Sequence, residues 1–199
     1  MNSSQPKNWP GKHYYCPEST GKEIHMTLLR LLLQTEDRET ITPCIEEKRA
    51  HPDLEIRKID SQLIYCGIKP HPLIDQKDSK GRDQYGVFAN RKIPIGSALG
   101  EFTGEVTLLS LAEAERQNKI AYNYIIPLNN QNLWCIDSDT LANEMMYVND
   151  YHGIQDAPNA YLTRMVNRGF AYFGYAALRD IEADEEIVVD YENRRKRQY

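Results

Sequence analysis

The sequence predicts a mainly β fold with short helices, built as several small sheets behind a helical N-terminal extension. Three observations carry that expectation. Short runs rich in aromatic and β-branched residues follow one another from Tyr85 onward, namely YGVFA, ALGEFTGEV, YNYIIPL, LWCID, AYLTRMV and FGYAALR, with turn residues between them. One helix interrupts them, and no internal repeat is present. Ahead of them, Ile24, Leu28, Leu31 and Leu32 recur at helical spacing.

Taken in order, Met1 to about Pro17 holds Pro, Gly and Asn without periodicity and reads as loop. Thr20 with Glu23 forms a capping box for an amphipathic helix, whose wet face carries Glu23, Thr27, Arg30 and Gln34. Glu36 to Arg57 is charge-rich and gives no clear element. Leu63 to Cys66 reads as a short strand, and Pro70 to Arg82 as a polar loop. Within the β-rich part, Ser110 caps a helix with Glu113 completing the box and LAEAERQNK as its body. The expected organisation is an extension over 1–82, a β-rich domain over 83–191 and a basic tail over 192–199.

Composition narrows the function classes. Charged residues at 27% and hydrophobic residues at 41% fit an ordinary globular domain. A net charge of −5 argues against direct nucleic-acid binding and suits a cleft for a basic peptide. The longest apolar run is too short to span a bilayer, so no membrane partner is expected, and the N-terminus lacks a signal-peptide apolar region. An intracellular protein is expected, with an exported effector as the alternative. Cys16, Cys44, Cys66 and Cys135 are scattered without C-x-x-C spacing, so no metal site is expected. The run RRKR reads as a solvated tail, with a nuclear signal as the alternative.

The chemistry lies in an ordered set of motifs. Gln84-Tyr85-Gly86-Val87-Phe88-Ala89 places a glycine between bulky strand residues, where backbone can approach a ligand. Gly100 to Val106 contains Phe102, whose reading is structural, and Glu101 and Glu105, which read as solvated strand carboxylates. Tyr124 precedes Cys135-Ile136-Asp137. Asn143 and Tyr147-Val148-Asn149-Asp150 come next, then Pro158-Asn159. The chain then runs through Glu185-Glu186, read as a solvated turn pair, to Asp190-Tyr191.

From Gln84 to Tyr191 this order resembles the SET domain of protein lysine methyltransferases. The resemblance implies a β-clip-like fold of small sheets with the C-terminal segment threaded through a loop as a pseudoknot, an exception to the rule against knots. It implies S-adenosyl-L-methionine as cofactor and a lysine of a histone or other protein as substrate. Tyr191 would be catalytic, and Tyr85, Gly86, Tyr147, Asn149 and Asp150 would bind cofactor. Tyr124 would line the lysine channel. Val189, with neither hydroxyl nor ring, would leave the amine end roomy enough for repeated transfer. Gln84, Phe102, Met146 and Asp184 depart from the family pattern, and no cysteine-rich segment follows Tyr191. The alternative is a binding module that keeps the fold without catalysis.

Overall fold

Residues 8–10, 14–15, 20–21, 51–63, 65, 70–78, 80–117, 124–127, 131–167 and 170–192 are described in the computed structural model. Their strands form small sheets rather than one large one, because each β-type run is short and ends in a turn.

Strand β3 (Leu54–Lys58) pairs antiparallel with β4 (Tyr85–Ala89), Leu54 opposite Ala89 and Lys58 opposite Tyr85. Gly86 to Ala89 are all buried, so β4 is covered on both faces. A second sheet runs β11 (Ala160–Asn167), β12 (Phe170–Ala177) and β5 (Ala98–Glu101), with an irregularity between Tyr175 and Ala176. A third sheet joins β2 (Thr20–Gly21), β6 (Glu105–Ser110), β8 (Asn132–Asp137) and β7 (Tyr124–Pro127). Strand β1 (Tyr14–Tyr15) lies parallel to β9 (Leu141–Ala142), so the extension contributes two short strands to the domain's sheets.

The predicted helix at Ser110 is present as α1 (Leu111–Arg116), and Ser110 Oγ accepts from the Glu113 N–H at 3.2 Å. The return half of the predicted box is not made. The Glu113 carboxylate instead accepts from Arg116 and Gln117 further along the helix.

Two expectations need correction. Leu63 and Tyr65 belong to no strand, while β3 occupies Leu54 to Lys58, where charge density obscured an alternating pattern. Leu54 and Ile56 are buried, and the charged Glu55, Arg57 and Lys58 occupy wetter positions. Thr20 and Gly21 are paired in a strand rather than opening a helix. The body of the helix predicted after them lies outside the described residues.

The main core gathers Val87, Leu99, Phe102, Met145, Tyr175 and Ile187 from the first two sheets and their connections. Phe102 meets Tyr175 edge-on at 6.4 Å and is 3% exposed, as its structural reading predicts. Tyr147 and Tyr191 pack against the rim of this core, which places the motif residues at its edge.

Candidate active site at a threaded crossing

Strand β10 (Asn149–Asp150) lies parallel to β13 (Val188–Val189), with Asn149 opposite Val188 and Asp150 opposite Val189. The Tyr151 N–H donates to Val189 O at 2.9 Å, and the Asn159 N–H to Val188 O at 3.1 Å. Strand β13 is thus held on both sides by the ends of the 151–158 loop, which is the expected threading.

Asn159 fastens the crossing. Fully buried, it accepts from Val188 N–H at 2.9 Å and donates to Glu186 O at 2.7 Å. Its amide also reaches the Glu185 carboxylate at 3.2 Å. Arg179 Nη1 bonds that carboxylate at 3.1 Å. Burial pushes the Glu185 carboxyl up, but the Arg179, Glu182 N–H and Asn159 hydrogen bonds outweigh it and hold the group below its ordinary range. Asp184 sits at φ 62° and pairs with Arg57 at 2.7 Å. A left-handed turn explains why the family pattern has glycine there, and aspartate is among the side chains that tolerate it.

Glu186 overturns the expectation of a solvated turn pair. It is 1% exposed, and both of its oxygens accept. Oε2 lies 2.7 Å from His71 Nε2, and Oε1 lies 2.8 Å from Asn149 Nδ2. The same Nδ2 is 2.9 Å from Tyr85 O, an acceptor only, so this atom must be the nitrogen. His71 Nδ1 accepts from the Leu73 N–H at 3.1 Å, which places the ring proton on Nε2 facing Glu186. Asn149 therefore spends both N–H groups inside the protein and turns Oδ1 outward, where it accepts from no group among the described residues.

Gly86 belongs to the same cluster. A Cβ there would stand 2.5 Å from Glu186 Oε1 and 2.9 Å from a Phe88 ring carbon. The expected close approach is real, and the approaching group is the protein's own carboxylate.

Tyr191 bonds the two chain neighbours of Asn149. Its hydroxyl donates to Val148 O at 2.6 Å, and its N–H donates to Asp150 Oδ2 at 2.8 Å. Asp150 Oδ1 pairs with His152 Nδ1. Burial raises the Asp150 carboxyl, but hydrogen bonds from His152 and the Tyr191 N–H bring it below its ordinary value. His152 moves up in turn, mainly through its bond to Asp150. Tyr147 joins Tyr85 and Trp9 in edge-to-face contacts of 5.6 Å each, and burial, then Tyr85, drives its hydroxyl pKa well up. Val189 is 2% exposed and part of the main core. Tyr124 opens β7 opposite Ile136, and its side chain lies outside the described residues.

Residues 84–192 match the SET-domain family profile, more than half of the chain. The chain belongs to the SET-domain family. Its fold resembles the SET protein ATXR5 in a histone H3.1 complex, with TM-score 0.57 at 15% identity over 91% of this chain and 81% of that one. In sequence it is 33% identical over 123 residues to the histone-lysine N-methyltransferase MEDEA of Arabidopsis thaliana, covering 60% of this chain and 16% of MEDEA. It is 32% identical over 114 residues to the variant-silencing SET domain-containing protein of Plasmodium falciparum, covering 54% of this chain and 4% of that protein. The chain therefore spans a small part of the curated relatives it matches.

Within this SET domain, the structure brings Tyr85, Gly86, Tyr147, Asn149, Asp150, Val189 and Tyr191 to one crossing. Among the described residues no group of three or more His, Cys, Asp or Glu could hold a metal ion. Reading by sequence missed His71 and Glu186, which are 115 positions apart and meet with no exposed side-chain surface. His71 precedes the matched segment and sits between Pro70 and Pro72 in a polar loop, so nothing local marks it as buried.

Proposed function

We propose that this chain is an S-adenosylmethionine-dependent methyltransferase acting on the ε-amine of a lysine in a protein. The observation that carries the reading is that the Tyr191 hydroxyl bonds the Val148 carbonyl at the crossing where Asn149 commits both amide N–H groups to the protein and keeps Oδ1 as an acceptor. An acceptor there, beside the aromatic edges of Tyr85 and Tyr147, fits a cofactor that has an ammonium group and an aromatic base. Tyr85, Gly86, Tyr147, Asn149 and the Asp150 backbone would hold it. When bound, S-adenosylmethionine supplies a methyl group on a positively charged sulfur.

The protein's own residues supply alignment. Because the Tyr191 hydroxyl donates to Val148 O, it meets a lysine amine as an acceptor. It then binds an amine N–H and turns the nitrogen lone pair towards the methyl position. Alignment of this kind is worth several kcal/mol when a displacement is made effectively intramolecular. The amine must be neutral to react. A lysine whose free pKa is about 10.4 sheds its proton more readily on leaving water for a low-dielectric channel. Tyr124 is the proposed channel wall, and Val189, in the core against which Tyr191 packs, offers no polar group there.

MEDEA's name makes a histone lysine the first substrate to try. Incubation with labelled S-adenosylmethionine and a histone mixture, followed by mass spectrometry, should reveal a methylated lysine. Calorimetry with S-adenosylhomocysteine should detect binding. No binding overturns the reading. Binding without methyl transfer to histones or a proteome extract would favour a binding module, which Met146 supports, since a thioether cannot replace the fork of guanidinium donors usual there.

A further inference from the structure

The Glu186 carboxylate is buried with neutral partners only. The His71 proton is on Nε2 because Nδ1 accepts from Leu73, so the ring meets Glu186 as a neutral donor. The Asn149 amide is neutral too. The nearby guanidinium groups are engaged elsewhere, Arg179 with Glu185 and Arg57 with Asp184, and among the described residues neither Lys nor Arg pairs with Glu186. A charge taken from water and met only by dipoles is costly, and a cation nearby lowers that cost.

Asn149 is the route by which this charge reaches the mouth of the site. The residue is half-buried, its N–H end faces Glu186 and Tyr85 O, and its Oδ1 end faces outward. An amide dipole with an anion behind it presents a strengthened negative end. Glu186 cannot itself reach a ligand there, since it is 1% exposed and packed over Gly86.

We propose that Glu186, held by His71, is a positioning residue that makes the Asn149 site select a ligand with a protonated amino group. The cofactor's α-ammonium would complete the cluster. This rests on Asn149 facing the cofactor, as proposed above. His71 thereby gives a loop before the matched segment a part in cofactor choice, with the ring fixing the carboxylate and the carboxylate fixing the amide.

Calorimetry on the full chain tests this with two ligands, S-adenosylhomocysteine and its analogue lacking the α-amino group. A charge pair bridged by one amide, at an effective dielectric of about 20, is worth on the order of 10- to 100-fold. The parent should therefore bind S-adenosylhomocysteine at least about tenfold more tightly than the analogue. Glu186→Gln should reduce that ratio to about threefold or less while leaving the analogue's affinity nearly unchanged, a pattern that general damage to the fold does not produce. His71→Gln keeps a donor towards Glu186 and should keep the ratio, whereas His71→Ala should lower it. Equal binding of both ligands by the parent, or an unchanged ratio in Glu186→Gln, overturns this inference and leaves the proposed function standing. The parent comparison remains decisive if Glu186→Gln does not fold. A parent that binds neither ligand overturns the proposed function itself, and this inference with it.

Discussion

The Tyr191 hydroxyl donates to the Val148 carbonyl at 2.6 Å, joining the end of the threaded segment to the residue just before Asn149. The tyrosine is thus oriented by backbone before any substrate arrives.

Tyr191→Phe removes that bond and keeps the ring. Stability should fall by about 1 kcal/mol, the usual net value of such a bond. Turnover should fall by about 2–4 kcal/mol of transition-state stabilisation, with S-adenosylhomocysteine affinity unchanged. Single-turnover kinetics beside calorimetry check this, and a parent-like rate removes Tyr191 from catalysis.

Gly86→Ala sets a methyl group 2.5 Å from Glu186 Oε1. The expected loss is about 1–3 kcal/mol in urea unfolding, the usual range for overpacking. In a Glu186→Ala background the added cost of Gly86→Ala should shrink, because the colliding oxygen is gone. Equal costs in both backgrounds would place the strain elsewhere.

Asn159→Ala strips the partner from the Val188 N–H at the centre of the crossing and leaves the Glu186 carbonyl with its bond from Gln155 alone. A buried donor left unmet costs about 1–3 kcal/mol, so a loss of about that size is expected from the Val188 N–H. Hydrogen exchange should show early opening at Val188 and Val189, and protection equal to the parent's would contradict the fastening role.

The Asp150–His152 pair predicts a pH response with a defined sign. His152 is raised from its ordinary 6.5, so its contribution is complete below that value and lost as pH rises through the folded pKa. Asp150 is lowered from 3.8, so its contribution holds above that value and is lost as pH falls through the folded pKa. Proton NMR should find the His152 pKa above 6.5 in the parent and closer to 6.5 in Asp150→Asn. No change between the two would show that the pair does not form in solution.

What the sequence disclosed follows from how local each signal is. Strands β4, β8 and β12 were legible because their β-branched and aromatic runs end in turns, and α1 because Ser110 and Glu113 mark its start. Strand β3 was obscured because Glu55, Arg57 and Lys58 lie among its apolar residues. Asn149, Asp150 and Tyr191 were recognisable from the order of motifs. Glu186 was not, since a glutamate in a turn is normally solvated, and its burial requires a histidine 115 positions away.

The crossing of β10 and β13 also fixes when the site can exist. During synthesis, residues 149 to 159 leave the ribosome well before Val188, so the loop must stay open or reopen to admit the last strand. The sheets of β4, β5 and β8 involve earlier residues and can mature sooner than the crossing beside Asn149. A nascent chain halted before Glu186 would carry most of the scaffold without the carboxylate that bonds Asn149, so the crossing closes only once residues 186 to 191 have been made.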